Sequence, residues 1–188
     1  MNYFANAGLL VVDTVFAIVL FVLVLRVVLQ LIRANFYNPL SQAIYKLTNP
    51  LLAPWAKRMP SVRGINMAPV LLLLVAAVLW GWLHLWVADN SVGPLGVLLF
   101  GLARLLGFLL SFFFWIVIVR VLLSWLAADS RSPAIPIIYG IADLVLAPFA
   151  RMIRPIGGID LSPLLALLTL QLARLLLVAP LLDLALRL

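Results

Sequence analysis

Residues 120–168 read RVLLSWLAADSRSPAIPIIYGIADLVLAPFARMIRPIGGIDLSPLLALL, and residues 26–74 read RVVLQLIRANFYNPLSQAIYKLTNPLLAPWAKRMPSVRGINMAPVLLLL. Laid over each other at an offset of 94, half the chain, the two stretches are identical at 17 of 49 positions. Matched leucines carry little weight in so leucine-rich a chain. The matches that decide are Arg26/Arg120, Pro39/Pro133, Tyr45/Tyr139, Pro54/Pro148, Gly64/Gly158 and Pro69/Pro163, with Lys57/Arg151 and Asn66/Asp160 as conservative pairs. Such a period marks a structural unit copied once, so residues 1–94 and 95–188 are expected to be two copies of one fold.

Composition names the solvent. Hydrophobic residues make up 66% of the chain and charged residues 10%, against roughly 45–50% and about 25% in soluble domains. That is an integral membrane protein. Cysteine is absent, histidine occurs once at His84, and all six acids are aspartates. Thiolate chemistry is excluded, and the inventory is poor for a metalloenzyme or a histidine-based catalyst, so no enzyme, metal or cofactor is expected. The net charge of +7 comes from basic residues that flank apolar runs, the pattern of membrane topology and not of nucleic-acid binding.

Four apolar runs are long enough to cross a bilayer, which takes about 20 helical residues: residues 9–32, 67–88, a span within 95–126, and 161–186. The third run is overlong, and Gly96, Gly101, Arg104 and Gly107 leave open a short extra helix before the span proper. Between the spans of each half lies a segment with helical periodicity, Leu40, Ile44, Leu47, Leu51 and Trp55 in the first copy. Ala134, Ile138, Ile141, Val145 and Phe149 take the same places in the second. Asn38-Pro39 and Ser132-Pro133 supply helix-start signals. Pro50 and Pro54 are expected to break the first of these helices, and Pro148 to end or bend the second. Both read as amphipathic helices lying in the interface, with a re-entrant element as the alternative. Their basic ends, Lys57, Arg58, Arg151 and Arg154, suit anionic lipid headgroups.

The expected fold is therefore all-α: four transmembrane helices as two parallel repeats (helix, interfacial amphipathic helix, helix) about a pseudo-two-fold axis along the membrane normal. The loops carrying Lys46, Lys57, Arg58, Arg131, Arg151 and Arg154 go to the cytoplasm and both termini outside, because residues 1–8 and 89–94 carry no basic residue.

Few residues invite a chemical role. Gly157-Gly158-Ile159-Asp160-Leu161-Ser162-Pro163 and its echo Gly64 to Pro69 read as a turn, a cap and a helix-opening proline. An arginine inside a span is costly unless it snorkels or finds a partner. Arg26 and Arg120 occupy equivalent depths, with Asn66 and Asp160 as expected partners. Arg174 falls near mid-span with Trp80 as its counterpart, and Asp13 is a conceivable partner at a different depth. His84, among Trp80, Trp82 and Trp86, reads as a residue of the interfacial belt.

The elements Arg120-x-x-x-Ser124-Trp125 and Gly157-Gly158-Ile159-Asp160-x-Ser162-Pro163, together with residues 147–171, resemble the YggT (YlmG-like) family of bacterial membrane proteins, one family unit per half. The first copy departs from the pattern, with Gln30-Leu31 for Ser124-Trp125 and Arg63-Gly64 for the glycine pair. The resemblance implies a non-enzymatic inner-membrane protein linked to cell division, envelope integrity and osmotic tolerance; plastid relatives assist cytochrome b6 haem maturation. One histidine and no cysteine make no conventional haem site here. A scaffold or assembly factor with membrane-protein partners is the expectation, in possible homo-oligomeric form, and a transport or channel component in osmotic adaptation is the alternative.

Overall fold

A computed structural model of the chain describes residues 3–62, 64–126, 132–152 and 160–188. Six helices follow one another among these residues: α1 (Tyr3–Leu31), α2 (Pro39–Ala56), α3 (Ala68–Val87), α4 (Pro94–Leu126), α5 (Ala134–Met152) and α6 (Ser162–Ala185). A two-residue hairpin, β1 (Ser61–Val62) with β2 (Ile65–Asn66), precedes α3, and Gly64 turns it with φ +85°, a conformation glycine adopts without strain. Inside α6 the ladder passes through a π-turn at Arg174–Val178.

Five of these helices, all but α2, are long and apolar enough to cross a membrane. This overturns the expected four-span architecture of two matching repeats, and the even span count that made the repeats parallel about an axis along the membrane normal falls with it. The added helix is α5, 19 residues with a mean hydropathy of 1.5. Its physical reason is visible at two positions that keep α2 polar: Gln42 and Lys46 of α2 correspond to Pro136 and Gly140 of α5 at the offset of 94. The overlong third run, in contrast, is one unbroken helix. At 33 residues, α4 is about 50 Å long, and it touches each of the other four apolar helices.

Pro50 and Pro54 do not break α2, which runs on to Ala56, and α5 runs through Pro148 to Met152. The Asn38 carboxamide oxygen caps α2 by accepting from the Leu40 N–H at 2.9 Å, as an Asn-Pro start should. The Asn38 amide also donates to the Pro133 carbonyl at 2.6 Å, tying the starts of α2 and α5 together.

The middle of the bundle is apolar. Leu20, Leu23 and Val24 of α1 pack with Leu73 and Ala77 of α3 and Phe112 of α4, all buried. A second cluster, Val117, Ala142, Leu146 and Ala166, joins α4, α5 and α6. Helices α3 and α4 approach so closely that a Cβ on Gly81 would stand 2.7 Å from the Gly101 Cα, and one on Gly101 would stand 2.6 Å from the Ala77 carbonyl oxygen. Small residues at a crossing permit this approach. At one end of the bundle Gly8 lies against Val87 and the Gly93 N–H donates to the Leu188 carbonyl, so the start of α1, the α3–α4 link and the last residue share that end.

Candidate functional site

The close α3–α4 crossing brings two helix faces together, each carrying an aromatic residue and an ionisable one a turn apart: Trp80 with His84, and Phe100 with Arg104. Asp13 of α1 completes the group. Its Oδ1 accepts from Trp80 Nε1 at 2.8 Å and from Arg104 Nη2 at 2.9 Å, and stands 3.0 Å from His84 Nδ1. The Arg104 guanidinium lies 4.0 Å from the Trp80 ring centroid, a cation–π contact.

His84 Nδ1 also stands 2.6 Å from Arg104 Nη1. One ring nitrogen cannot donate and accept at once, and arginine keeps its protons. Nδ1 therefore either accepts from Arg104 or donates to Asp13, as the tautomer of the ring sets. The ion pair is largely shielded, with the Arg104 side chain 17% and that of Asp13 36% exposed. Chemically the arrangement cross-links α1, α3 and α4 through opposite charges that satisfy each other. Intramembrane hydrogen bonds contribute about 0.6–2 kcal/mol each. Leaving the arginine without its carboxylate costs more, about 3–5 kcal/mol where burial is complete.

A second polar group lies toward the other end of the bundle, where Arg26 and Arg120 sit. Arg26 is not paired with Asn66. Its guanidinium lies 4.2 Å from the centroid of the Tyr45 ring. Asn66 is occupied elsewhere: its amide donates to the Ala56 carbonyl at 3.0 Å, its N–H to Gln30 Oε1 at 2.9 Å, and its Oδ1 accepts from the Ala68 N–H at 2.9 Å. Arg120 lies 5.0 Å from the Tyr139 ring centroid and forms its ion pair with Asp143. Asp160 lines the same cavity as Arg120, and its Oδ1 accepts from the Ser162 N–H at 2.8 Å, the counterpart of the Asn66 cap. Ser162 holds the Asp160 carboxyl below the usual carboxylate range, with Arg120 acting in the same sense.

Pro69 and Pro163 stand in the first turns of α3 and α6, as a helix-opening proline should. Lys57, Arg58 and Arg151 are exposed at the ends of α2 and α5. Gly157, Gly158 and Arg154 lie outside the described residues. Arg174 opens the π-turn of α6 and lines a cavity of about 420 Å³ between α4 and α6 that Arg104 also reaches. Among the described residues, no group of three or more His, Cys, Asp or Glu could hold a metal ion.

Sequence reasoning missed the Asp13–His84–Arg104 cluster as a unit. It treated His84 as a belt residue and Arg104 as part of a short extra helix before the third span. The signal was present as depth: Asp13 lies 18 residues before the end of α1 and His84 16 after the start of α3, which at about 1.5 Å per residue puts them level.

These features define a polytopic, all-α membrane protein with an ion pair shielded inside its bundle. The family model described as CCB3/YggT matches residues 5–87 and again residues 99–181, and the chain belongs to that family. An uncharacterized protein of Vibrio alginolyticus is 37% identical over 170 residues, covering 89% of this chain and 91% of the relative. One of Pseudomonas aeruginosa is 34% identical over 169 residues, with 89% and 86% covered. The YggT protein of Escherichia coli K12 is 32% identical over 166 residues, with 88% and 86% covered. No solved structure matches the chain. Family and helices together make it a multi-pass protein of the bacterial inner membrane.

Proposed function

We propose that the protein is a non-catalytic scaffold or assembly factor of the inner membrane, holding other membrane proteins and anionic lipid in the service of envelope integrity, cell division or osmotic tolerance. The observation that carries this reading is the filled centre: α1, α3 and α4 meet through Leu20, Leu23, Val24, Ala77 and Phe112, all buried. The charges beside that core are spent on one another. The cellular setting is taken over from the family resemblance. Residues 1–94 and 95–188 are the two units of this reading, supported by the two stretches that the family model matches.

Helix α2 supplies the lipid contact. It buries Ser41, Ile44, Thr48 and Leu52 and leaves Leu47, Leu51 and Trp55 at least half exposed, next to exposed Lys57 and Arg58. An apolar stripe beside basic residues suits the headgroup boundary of an anionic membrane. We place this end in the cytoplasm and the start of α1 outside, supported by the basic residues here and by the contact of Gly8 with Val87 at the opposite end.

The test is in-membrane crosslinking with identification of the captured proteins. Division or envelope-assembly proteins are expected; capture of this chain alone, with solute flux in liposomes, would replace the reading by transport. The cavity reaching Arg174 favours that second reading. The packed centre favours the first.

A further inference from the structure

Arg174 is the mid-span charge for which the described residues offer no ion pair or hydrogen bond. It stands 12 residues after Ser162 and 11 before Ala185, about 16–18 Å from either end of α6. The cavity of about 420 Å³ beside it continues into one of about 100 Å³, and Ser111 of α4 and Arg174 line both. Gln171, one turn before Arg174, lines the smaller. Together they form a notch between α4 and α6 that runs from Leu170 to Leu182, about 18 Å of helix. Among the described residues, no acid lines either cavity. The π-turn begins at Arg174 itself, and such single turns concentrate at functional sites. Helix α6 is also the least covered apolar helix, with 11% of its most apolar stretch buried.

A charge at this depth demands a carboxylate or another acceptor. Lipid phosphates lie about 15 Å from the bilayer middle, and a free anion would have to shed its water to arrive. Among the described residues, a second copy of this chain brings no suitable group. Asp13 is taken by Arg104 and Asp143 by Arg120, while Asp89, Asp160 and Asp183 lie at helix ends. We propose that the notch between α4 and α6 receives a transmembrane helix of a different membrane protein, whose carboxylate at mid-depth pairs with Arg174. This rests on the scaffold reading and names the chemistry of one partner.

The probe is a fluorescent leucine–alanine transmembrane peptide with one central aspartate, set against the same peptide with leucine there. Binding to the purified full chain in phosphatidylcholine vesicles is read by energy transfer. The aspartate peptide is expected to bind at least about tenfold more tightly, the least that one charge-assisted hydrogen bond contributes. Arg174→Gln should remove that advantage, and Arg174→Lys should keep most of it. A photocrosslinker at Ser111 should attach to the aspartate peptide, and one at Val15 on α1 should not. Arg174→Gln deletes an uncompensated charge, so the variant should be no less stable to unfolding than the parent. Equal binding of the two peptides, or an advantage that survives Arg174→Gln, overturns the proposal. Displacement of the peptide by phosphatidylglycerol overturns it too, by making a lipid the occupant. If crosslinkers on α2 capture envelope proteins in cells while the peptides bind alike, the scaffold reading stands and the notch proposal falls.

Discussion

The two ends of the bundle carry their charges differently. Near one end the halves agree: Arg26 lies over Tyr45 and Arg120 over Tyr139. At the other, Asp13, Trp80, His84 and Arg104 meet once, and their counterparts at the offset of 94 are Gly107, Arg174, Val178 and Leu10. The packing is nevertheless kept. Asp13 touches His84, and in the second half a Cβ on Gly107 would lie 3.2 Å from the Val178 side chain. What differs is chemistry laid on a common contact. Arg174 lacks a carboxylate because glycine occupies the place that Asp13 holds in the first half.

The largest expected effect is at Asp13. Asp13→Asn removes the charge facing Arg104 while keeping its shape, and should destabilise the folded protein by about 3 kcal/mol, at the lower end of the cost of a broken buried pair because Asp13 is partly exposed. Unfolding in a mild detergent titrated with dodecyl sulfate measures it. Asp13→Leu with Arg104→Met should recover most of the loss, since paired apolar replacements are often neutral. A single variant as stable as the parent would remove the cluster's claim to hold α1, α3 and α4 together.

Gly101→Ala comes next, at about 2 kcal/mol in the same assay, within the cost of overpacking a tight contact. Its methyl would stand 2.6 Å from the Ala77 carbonyl oxygen, so α3 and α4 must part and Arg104 must draw back from Trp80. The offset counterpart is Ala7, already an alanine. An unchanged Gly101→Ala variant would mean that the crossing is not what positions the cluster.

A smaller effect should follow from giving the second half the acid it lacks. Gly107 lines the same cavity as Arg174. Gly107→Asp, with Val178→Ala to make room, should cancel the tenfold preference for the aspartate peptide, because the notch then holds its own carboxylate. A preference that persists would separate Arg174 from the Gly107 position and break the comparison between halves.

Much of this was legible in the chain because periodicity and composition report on solvent. The apolar runs, the Asn38 cap and the proline openings of α3 and α6 all follow from local chemistry. The span count was not legible. Position at the offset suggested that α5 repeats α2, while the replacement of Gln42 and Lys46 by Pro136 and Gly140 had already made it apolar enough to cross. Pairing was hidden for another reason. Arg120 finds Asp143 on the following helix, and Arg104 finds Asp13 across the bundle, contacts that depend on how helices cross and not on spacing along any one of them.

The smallest expected effect tests where the halves differ without consequence. Asp160 and Asn66 make the same cap, each accepting from the N–H two residues on. Asp160→Asn should therefore shift stability at neutral pH by no more than about 0.5 kcal/mol, the range of an ordinary surface substitution. Its mark should be a pH dependence. The folded-state carboxyl is held below its ordinary value by Ser162, so its contribution is present above about pH 3.9 and is lost as pH falls through and below that value. Acid unfolding curves of parent and variant should therefore converge at low pH after a small separation near neutrality. A large loss at neutral pH would give the Asp160 charge a role that Asn66 does not share, and would extend the asymmetry between halves to the end of the bundle where they otherwise agree.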